Sequence, residues 1–332
     1  MGFVAHDLGV DLGTSNTLVY VKHKGIMISE PTIVVVDAGN ERKVRVVGDD
    51  AKIMLGRTTE GVITDFDMTE IMIQYFMRKA IGSSYLVKPR LFLSYPCSIS
   101  AIERRAVGEA AKYAGSRKVL LVEKPFAAAL GSGLPVFDPN GCMVVDIGGG
   151  TTDAAVISLG GVVISHSVRV GGVKMDEAII DFIKREFNIL IGDRTAEEVK
   201  LDLGSALPLR DERRARIRGR DMVTNLPQTT EITSTQIYEA LHEPCMAILG
   251  AIKWVLERTP PELAADIMHN GVYLTGGGSL LYGMDQLIAS ELGIPVLLSK
   301  EPMDCAALGL GNIIENYELL EHLGRTSFLK PF

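Results

Sequence analysis

Met143-Val-Val-Asp-Ile-Gly-Gly-Gly-Thr-Thr-Asp153 decides the fold. An apolar run, Met143 to Val145, meets an aspartate, three glycines and two threonines, and a second apolar run follows from Ala154 to Ile157. β-rich stretches bounded by Gly and Thr read as strand, tight turn, strand. The pattern also stands upstream as Val10-Asp-Leu-Gly-Thr-Ser-Asn-Thr17, between Leu8 to Val10 and Leu18 to Val21, with Asp11 and Asp146 separated by 135 residues. Two similar units predict two similar domains, hence a duplicated α/β fold with a cleft between its halves. The length of 332 residues agrees, since about 150 residues per domain gives about two domains.

Between and after the echoes, helical periodicity alternates with strand patterns. Thr69 to Ala80 carries Ile71, Met72, Tyr75, Phe76 and Ala80 on one face. Ser100-Ala-Ile-Glu103 is a capping box, opening a helix whose apolar face is Ile102, Ala106, Val107 and Ala110. Pro89 to Ser94 before it and Lys118 to Val122 after it read as buried, parallel strands. A helix is expected over about Lys174 to Asn188, and a second capping box at Thr195-Ala-Glu-Glu198. Gly204 to Thr233 reads as a small excursion with a β-hairpin, its arginines on a solvated face. A long helix follows from Ser234 to about Arg258, with a kink at Pro244. The strand Gly271 to Leu274 then enters Thr275-Gly-Gly-Gly-Ser279 and a further helix.

Composition excludes several classes. With 47% hydrophobic and 23% charged residues the chain is globular rather than disordered or fibrous. Its formal charge of −7 repels phosphate backbones, and acidic residues interleave with the arginines of the excursion, so no nucleic-acid partner is expected. Cys97, Cys142, Cys245 and Cys305 form no C-x-x-C pair and read as reduced cytosolic thiols. The N-terminus lacks the pattern of a secretory leader, and no window of about 18 residues is apolar enough for a membrane span. The six histidines have no ligand spacing for zinc.

Three glycine-rich turns after strands offer backbone N–H groups to phosphate oxygens. Asp11 and Asp146, beside two of them, call for an intervening cation, for which Mg²⁺ held through waters is the natural choice. Thr14, Ser15, Asn16, Thr151 and Thr152 add donors suited to β- and γ-phosphates. Neither a Walker sequence nor a dinucleotide fingerprint is present.

In Asp11-Leu-Gly-Thr14, Asp146-Ile-Gly-Gly-Gly-Thr151 and Leu274-Thr-Gly-Gly-Gly-Ser279 the chain resembles the actin superfamily. In Leu190-Ile-Gly-Asp-Arg-Thr-Ala-Glu-Glu-Val-Lys200, Arg218-Gly-Arg-Asp-Met-Val-Thr224 and Glu257-Arg-Thr-Pro-Pro-Glu-Leu263 it resembles the bacterial actins of the MreB and Mbl type. The resemblance implies an actin-like α/β fold of duplicated ribonuclease-H-like domains, with four subdomains around a nucleotide cleft. Domain I would comprise 1–141 plus about 303–332, with a small subdomain at about 32–66. Domain II would be 142–302, with a small subdomain at about 189–235. It implies ATP/ADP and Mg²⁺ as cofactors, homopolymer filaments, possible co-assembly with paralogous actins, and a cytoplasmic location at the inner face of the cell membrane, among membrane proteins of the cell-wall elongation machinery. Carried over, Asp11 and Asp146 hold the magnesium waters. Gly13, Thr14, Ser15 and Asn16, with Gly148, Gly149, Gly150 and Thr151, wrap the phosphates. Glu197, Glu198 and Lys200 border ribose and adenine, and Gly276, Gly277, Gly278, Ser279 and Leu280 close the base pocket. Tyr85, Leu86 and Val87 are the candidate membrane-inserting tip.

The chain departs from the family pattern in three places. The glutamate that positions the attacking water precedes a proline in these relatives, and here Val122-Glu123-Lys124-Pro125 puts Lys124 there. The catalytic set becomes Lys124, Glu123 as a weak substitute, and Thr152. Losing a water-orienting group costs on the order of 10² to 10⁴ in rate, so slow, Mg-dependent ATP hydrolysis with binding retained is expected. A segment within Gly56 to Phe66 is about ten residues short of the family length, and Val173 stands where an acid is usual. A hydrolysis-impaired paralogue is the alternative. A chaperone-type ATPase would need a β-rich substrate domain after the ATPase, and a sugar or acetate kinase a catalytic aspartate that the pattern does not supply.

Overall fold

The computed structural model describes residues 6–36, 44–48, 66–82 and 87–332. In chain order the strands are β1 (Asp7–Leu12), β2 (Asn16–Val21), β3 (Gly25–Pro31), β4 (Val34–Val36), β5 (Val44–Val47), β6 (Arg90–Tyr95), β7 (Lys118–Glu123), β8 (Cys142–Ile147), β9 (Thr152–Ser158), β10 (Gly161–Val168), β11 (Ile189–Leu190), β12 (Arg214–Asp221), β13 (Pro227–Thr233), β14 (Val272–Thr275), β15 (Val296–Leu298) and β16 (Lys330–Pro331). The first sheet runs β16-β7-β6-β1-β2-β3 and the second β10-β9-β8-β14-β15. Each is centred on an antiparallel hairpin, β1-β2 or β8-β9, whose first strand continues into two parallel neighbours. The 135-residue echo survives down to register: Leu12 pairs Thr17 as Ile147 pairs Thr152.

Parallel strands covered on both faces are apolar at nearly every position, and period 2 then divides their side chains between two cores. In β8, Met143, Val145 and Ile147 belong to the core of the second half. Cys142 and Val144 belong to a central core with Phe92, Phe126 and Leu310. In the first half, Leu8, Val10, Leu91 and Leu93 pack with Met72 and Phe76 in a third core.

The helix Phe66–Ile81 covers the expected Thr69 to Ala80 pattern. The Ser100 capping box forms with Glu103 and starts the helix Ala101–Tyr113, yet Ile102 is 82% exposed, and the buried positions are Gly108, Ala110 and Ala111. Ile102 is the second residue of the helix, in its first turn. The expected capping box at Thr195 is absent: the helix Asp193–Leu203 starts earlier, with Gly192 at its cap and no side-chain capping bond. The helix Gly172–Phe187 buries Met175, Ile179, Phe182 and Ile183. The hairpin of the excursion is β12-β13, with exposed arginines and Arg214 paired to Glu212 and Glu231. The helix Ser234–Arg258 runs through Pro244 unbroken. All four cysteines are free, and no helix among the described residues is long and apolar enough to cross a membrane. Tyr85, Leu86 and the segment 56–65 lie outside the described residues, and Val87 is half-buried.

The helix Lys124–Gly131 crosses the helix Cys305–Glu315 at two glycines: a Cβ on Gly309 would strike the Ala127 carbonyl, and one on Gly131 the Cys305 carbonyl. Gly309→Ala is expected to cost roughly 1 to 3 kcal/mol in urea denaturation through overpacking. Gly250, on the open face of the helix Ser234–Arg258, has nothing near its Cβ position. There Gly→Ala is expected to stabilise by about 0.5 to 1 kcal/mol through helix propensity.

Candidate functional site

The ends of the parallel strands build the site. Asp11, near the end of β1, accepts a hydrogen bond from Ser94 Oγ in the neighbouring β6. Asp146, near the end of β8, accepts one from Thr275 Oγ1 in the neighbouring β14, at 3.1 Å. The two halves thus repeat a carboxylate held by a hydroxyl on the adjacent parallel strand, and both acids are 3–4% exposed. Each hairpin turn closes alike, Gly13 N–H donating to Asn16 O and Gly148 N–H to Thr151 O. The turns face each other so closely that a Cβ on Gly149 would meet Ser15 Oγ, and one on Gly150 would meet Thr14 Oγ1. Only glycine permits that approach. A cavity of about 410 Å³ opens above them, lined from both halves.

Lys124, the first residue of its helix after β7, reaches into the floor of this cavity. Its Nζ lies 2.8 Å from Asp146 Oδ2 with the side chain 15% exposed. A Cβ on Gly148 would stand 3.6 Å from the same nitrogen. Burial acts to lower its pKa, but the charges of Asp11, Asp146 and Asp153 outweigh that and hold it above the ordinary lysine value. Asp153, wholly buried, accepts from Cys97 N–H and Thr151 Oγ1. Burial, then the charge of Asp146, pushes its pKa up. Three buried carboxylates therefore surround one ammonium.

On the wall contributed by the second half, Lys200 Nζ donates to Gly172 O and Asp176 Oδ2 at 3.0 and 2.9 Å. This ties the helix Asp193–Leu203 to the start of the helix Gly172–Phe187. The opposite lip is Gly276 to Leu280. Gly276 has φ +79°, and a Cβ there would lie 2.6 Å from Asp146 Oδ1, so two constraints exclude a side chain.

Most residues singled out in the sequence line this cavity: Asp11, Gly13, Thr14, Ser15, Asn16, Lys124, Asp146, Gly148, Gly149, Gly150, Thr151, Glu197, Lys200, Gly276, Gly277, Gly278 and Leu280, with Val173 beside them. Four do not. Glu123 accepts from Tyr95 Oη at 3.2 Å. The Thr152 hydroxyl, fully buried, donates to Val170 O. Glu198 pairs with Arg194 on the exposed helix face, and Ser279 donates to Gly276 O, holding its own turn. Sequence reading missed Ser94, Asp153 and Asp176. Ser94 betrays itself only as the residue level with Asp11 once β1 and β6 are placed side by side.

Two halves of repeated topology, joined under a cleft floored by paired aspartates and facing glycine turns, define an actin-like protein. The family model described as MreB/Mbl protein matches residues 5–322, and the chain belongs to that family. It is 48% identical over 326 residues to the cell shape-determining protein Mbl of Bacillus cereus, covering 95% of this chain and 98% of the relative. It is 46% identical to the cell shape-determining protein MreB of Escherichia coli, covering 96% of each. Its structure is similar to that of MreB 5 of Spiroplasma citri bound to AMPPNP, with TM-score 0.89 and 32% identity over 97% of this chain and 99% of that one. The MamK double helical filament, at TM-score 0.77 and 21% identity over 94% of this chain and 99% of that one, shares the fold.

Burial pushes the Asp176 carboxyl up to about 6; the Lys200 ammonium opposes the rise, and Glu197 and Asp193 add to it. The folded value exceeds the ordinary 3.8, so this contribution to stability is complete below about pH 4 and lost as pH rises through about 6. Asp176→Asn removes that dependence. Relative to wild type, its stability is expected to improve by on the order of 2 kcal/mol between about pH 4 and pH 7.5, read by urea denaturation.

Proposed function

We propose that the chain is an ATP-binding, filament-forming bacterial actin that works at the inner face of the cytoplasmic membrane, organising cell-wall elongation and maintaining rod shape. The observation that carries the nucleotide part is the pair of facing turns, Gly13–Asn16 and Gly148–Thr151, beneath one cavity. Backbone N–H groups and hydroxyls converge there with no Cβ in the way, as phosphate oxygens require. AMPPNP and ADP bound to the similar MreB 5 of Spiroplasma citri support the same reading. Polymerisation is supported by the fold shared with the MamK filament, and the cell-shape role by the Mbl and MreB relatives. Partners on this reading are other copies of the chain, paralogous actins, the membrane surface and elongation-machinery membrane proteins. Domain I comprises 1–141 with about 303–332, and domain II 142–302, with small subdomains at about 32–66 and 189–235.

Within the site, the two turns hold the phosphates, Glu197 and Lys200 stand beside ribose and adenine, and Gly276 to Leu280 cover the base. Mg²⁺ at Asp11 and Asp146 does not fit the arrangement as it stands. Asp146 already carries Thr275 on one oxygen and the Lys124 ammonium on the other, so no step is routed through the metal. Lys124 also favours the second reading, a hydrolysis-impaired paralogue that co-polymerises with an active one. A protonated lysine paired to Asp146 cannot accept a proton from water, and Glu123 is turned to Tyr95.

ATP at about 100 times its dissociation constant is expected to add about 2.7 kcal/mol to stability, seen as a rise in Tm. Pelleting on lipid vesicles with ATP and Mg²⁺ is expected to give filaments with little phosphate release, and Lys124→Glu to raise release by on the order of 10². Filaments from neither protein, or equal release from both, would count against the reading.

A further inference from the structure

We infer that Lys124 is the resident cation of the cleft, so that a nucleoside triphosphate binds this chain without a divalent metal ion. The inference rests on the nucleotide-binding reading above and names the group that makes it electrostatically possible. Phosphates entering between the turns approach the buried carboxylates Asp11 and Asp146, which line the cavity, with Asp153 buried nearby, a field that repels them unless a positive charge intervenes. That charge is already there. The Lys124 Nζ stands 2.8 Å from Asp146 Oδ2 and under Gly148, the first glycine of the second phosphate turn. An ammonium has three N–H donors, so it can keep its carboxylate and still present a donor to a phosphate oxygen.

The neighbouring groups leave this task to Lys124. The second oxygen of Asp146 is held by Thr275, one oxygen of Asp11 by Ser94, and both oxygens of Asp153 by Cys97 N–H and Thr151. Of the other cations lining the cavity, Lys200 is committed to Asp176 and Gly172 O on its wall, and the exposed Arg213 donates to Asp202 O. A divalent ion brought against Asp11 and Asp146 would face the fixed ammonium as a like charge at short range. Lys124 therefore offsets one of the carboxylate charges that line the cleft and takes the position beside Asp146 that a metal would need.

The test is ATP affinity, by isothermal titration calorimetry on the full chain, in excess Mg²⁺ and in excess EDTA. For the wild type the two dissociation constants are expected to agree within about 5-fold. Lys124→Met and Lys124→Glu are expected to lose about 100-fold or more in EDTA, because the buried carboxylates then face the phosphates uncompensated, and Lys124→Glu to regain most of it with Mg²⁺. Tight binding in Mg²⁺ with a loss of about 100-fold in EDTA for the wild type overturns the inference and leaves nucleotide binding intact. So does a Lys124→Met variant that binds in EDTA as the wild type does. No binding by the wild type in either condition overturns the nucleotide reading itself. The wild-type arms decide the matter even if neither variant folds.

Discussion

Three buried carboxylates around one ammonium, two of them lining the cleft, are the constraint on which the rest of this structure depends. A buried charge is tolerated only when hydrogen bonds and an opposite charge accompany it. Asp11 and Asp146 obtain their hydrogen bonds from Ser94 and Thr275, which requires that β6 lie parallel to β1 and β14 parallel to β8 in one specific register. The opposite charge comes from Lys124, which requires that β7 end beside β6 just past Ser94 and turn at once into a helix. Sheet order, register and the helix start after β7 are thus linked to the same few polar atoms.

The apolar side of the molecule serves the same end. The central core joins strands of both sheets through the crossing of the helices Lys124–Gly131 and Cys305–Glu315, where glycines bring the two backbones into contact. That contact fixes the helix whose first residue is Lys124, so packing beneath the site positions the ammonium within it. Two further ties join the cavity wall: Lys200 links one helix of the second half to the start of another, and Gly276 lets the third glycine turn approach Asp146.

Lys124 shapes the cleft through its charge. Buried beside carboxylates, a lysine is an ion-pair partner before it is anything else. It makes the floor less negative and pairs with Asp146, while Glu123 accepts from Tyr95. Binding and turnover of nucleotide are governed by different atoms in such a site, and a chain can retain the first while losing most of the second.

Much was legible in the sequence. Strand–glycine turn–strand units 135 residues apart announced a duplicated α/β fold, and period-2 apolar runs marked the strands, because both signals are local. The loops that line the cavity were legible for the same reason: a glycine turn beside an aspartate carries its chemistry within a few residues. What needed the tertiary structure was every relation across the sheets. Ser94 with Asp11, Lys200 with Asp176, and the retreat of Thr152, Glu198 and Ser279 to local partners depend on which strands and helices become neighbours. The exposure of Ile102 and the Gly192 start of the helix Asp193–Leu203 went against local pattern because the surrounding packing, rather than propensity, sets where a helix begins and which face it buries. The sequence by itself determined that a cationic residue stands at position 124; only the folded chain, by packing the helix Lys124–Gly131 against β8 of the other half in the central core, decided that its charge belongs to Asp146.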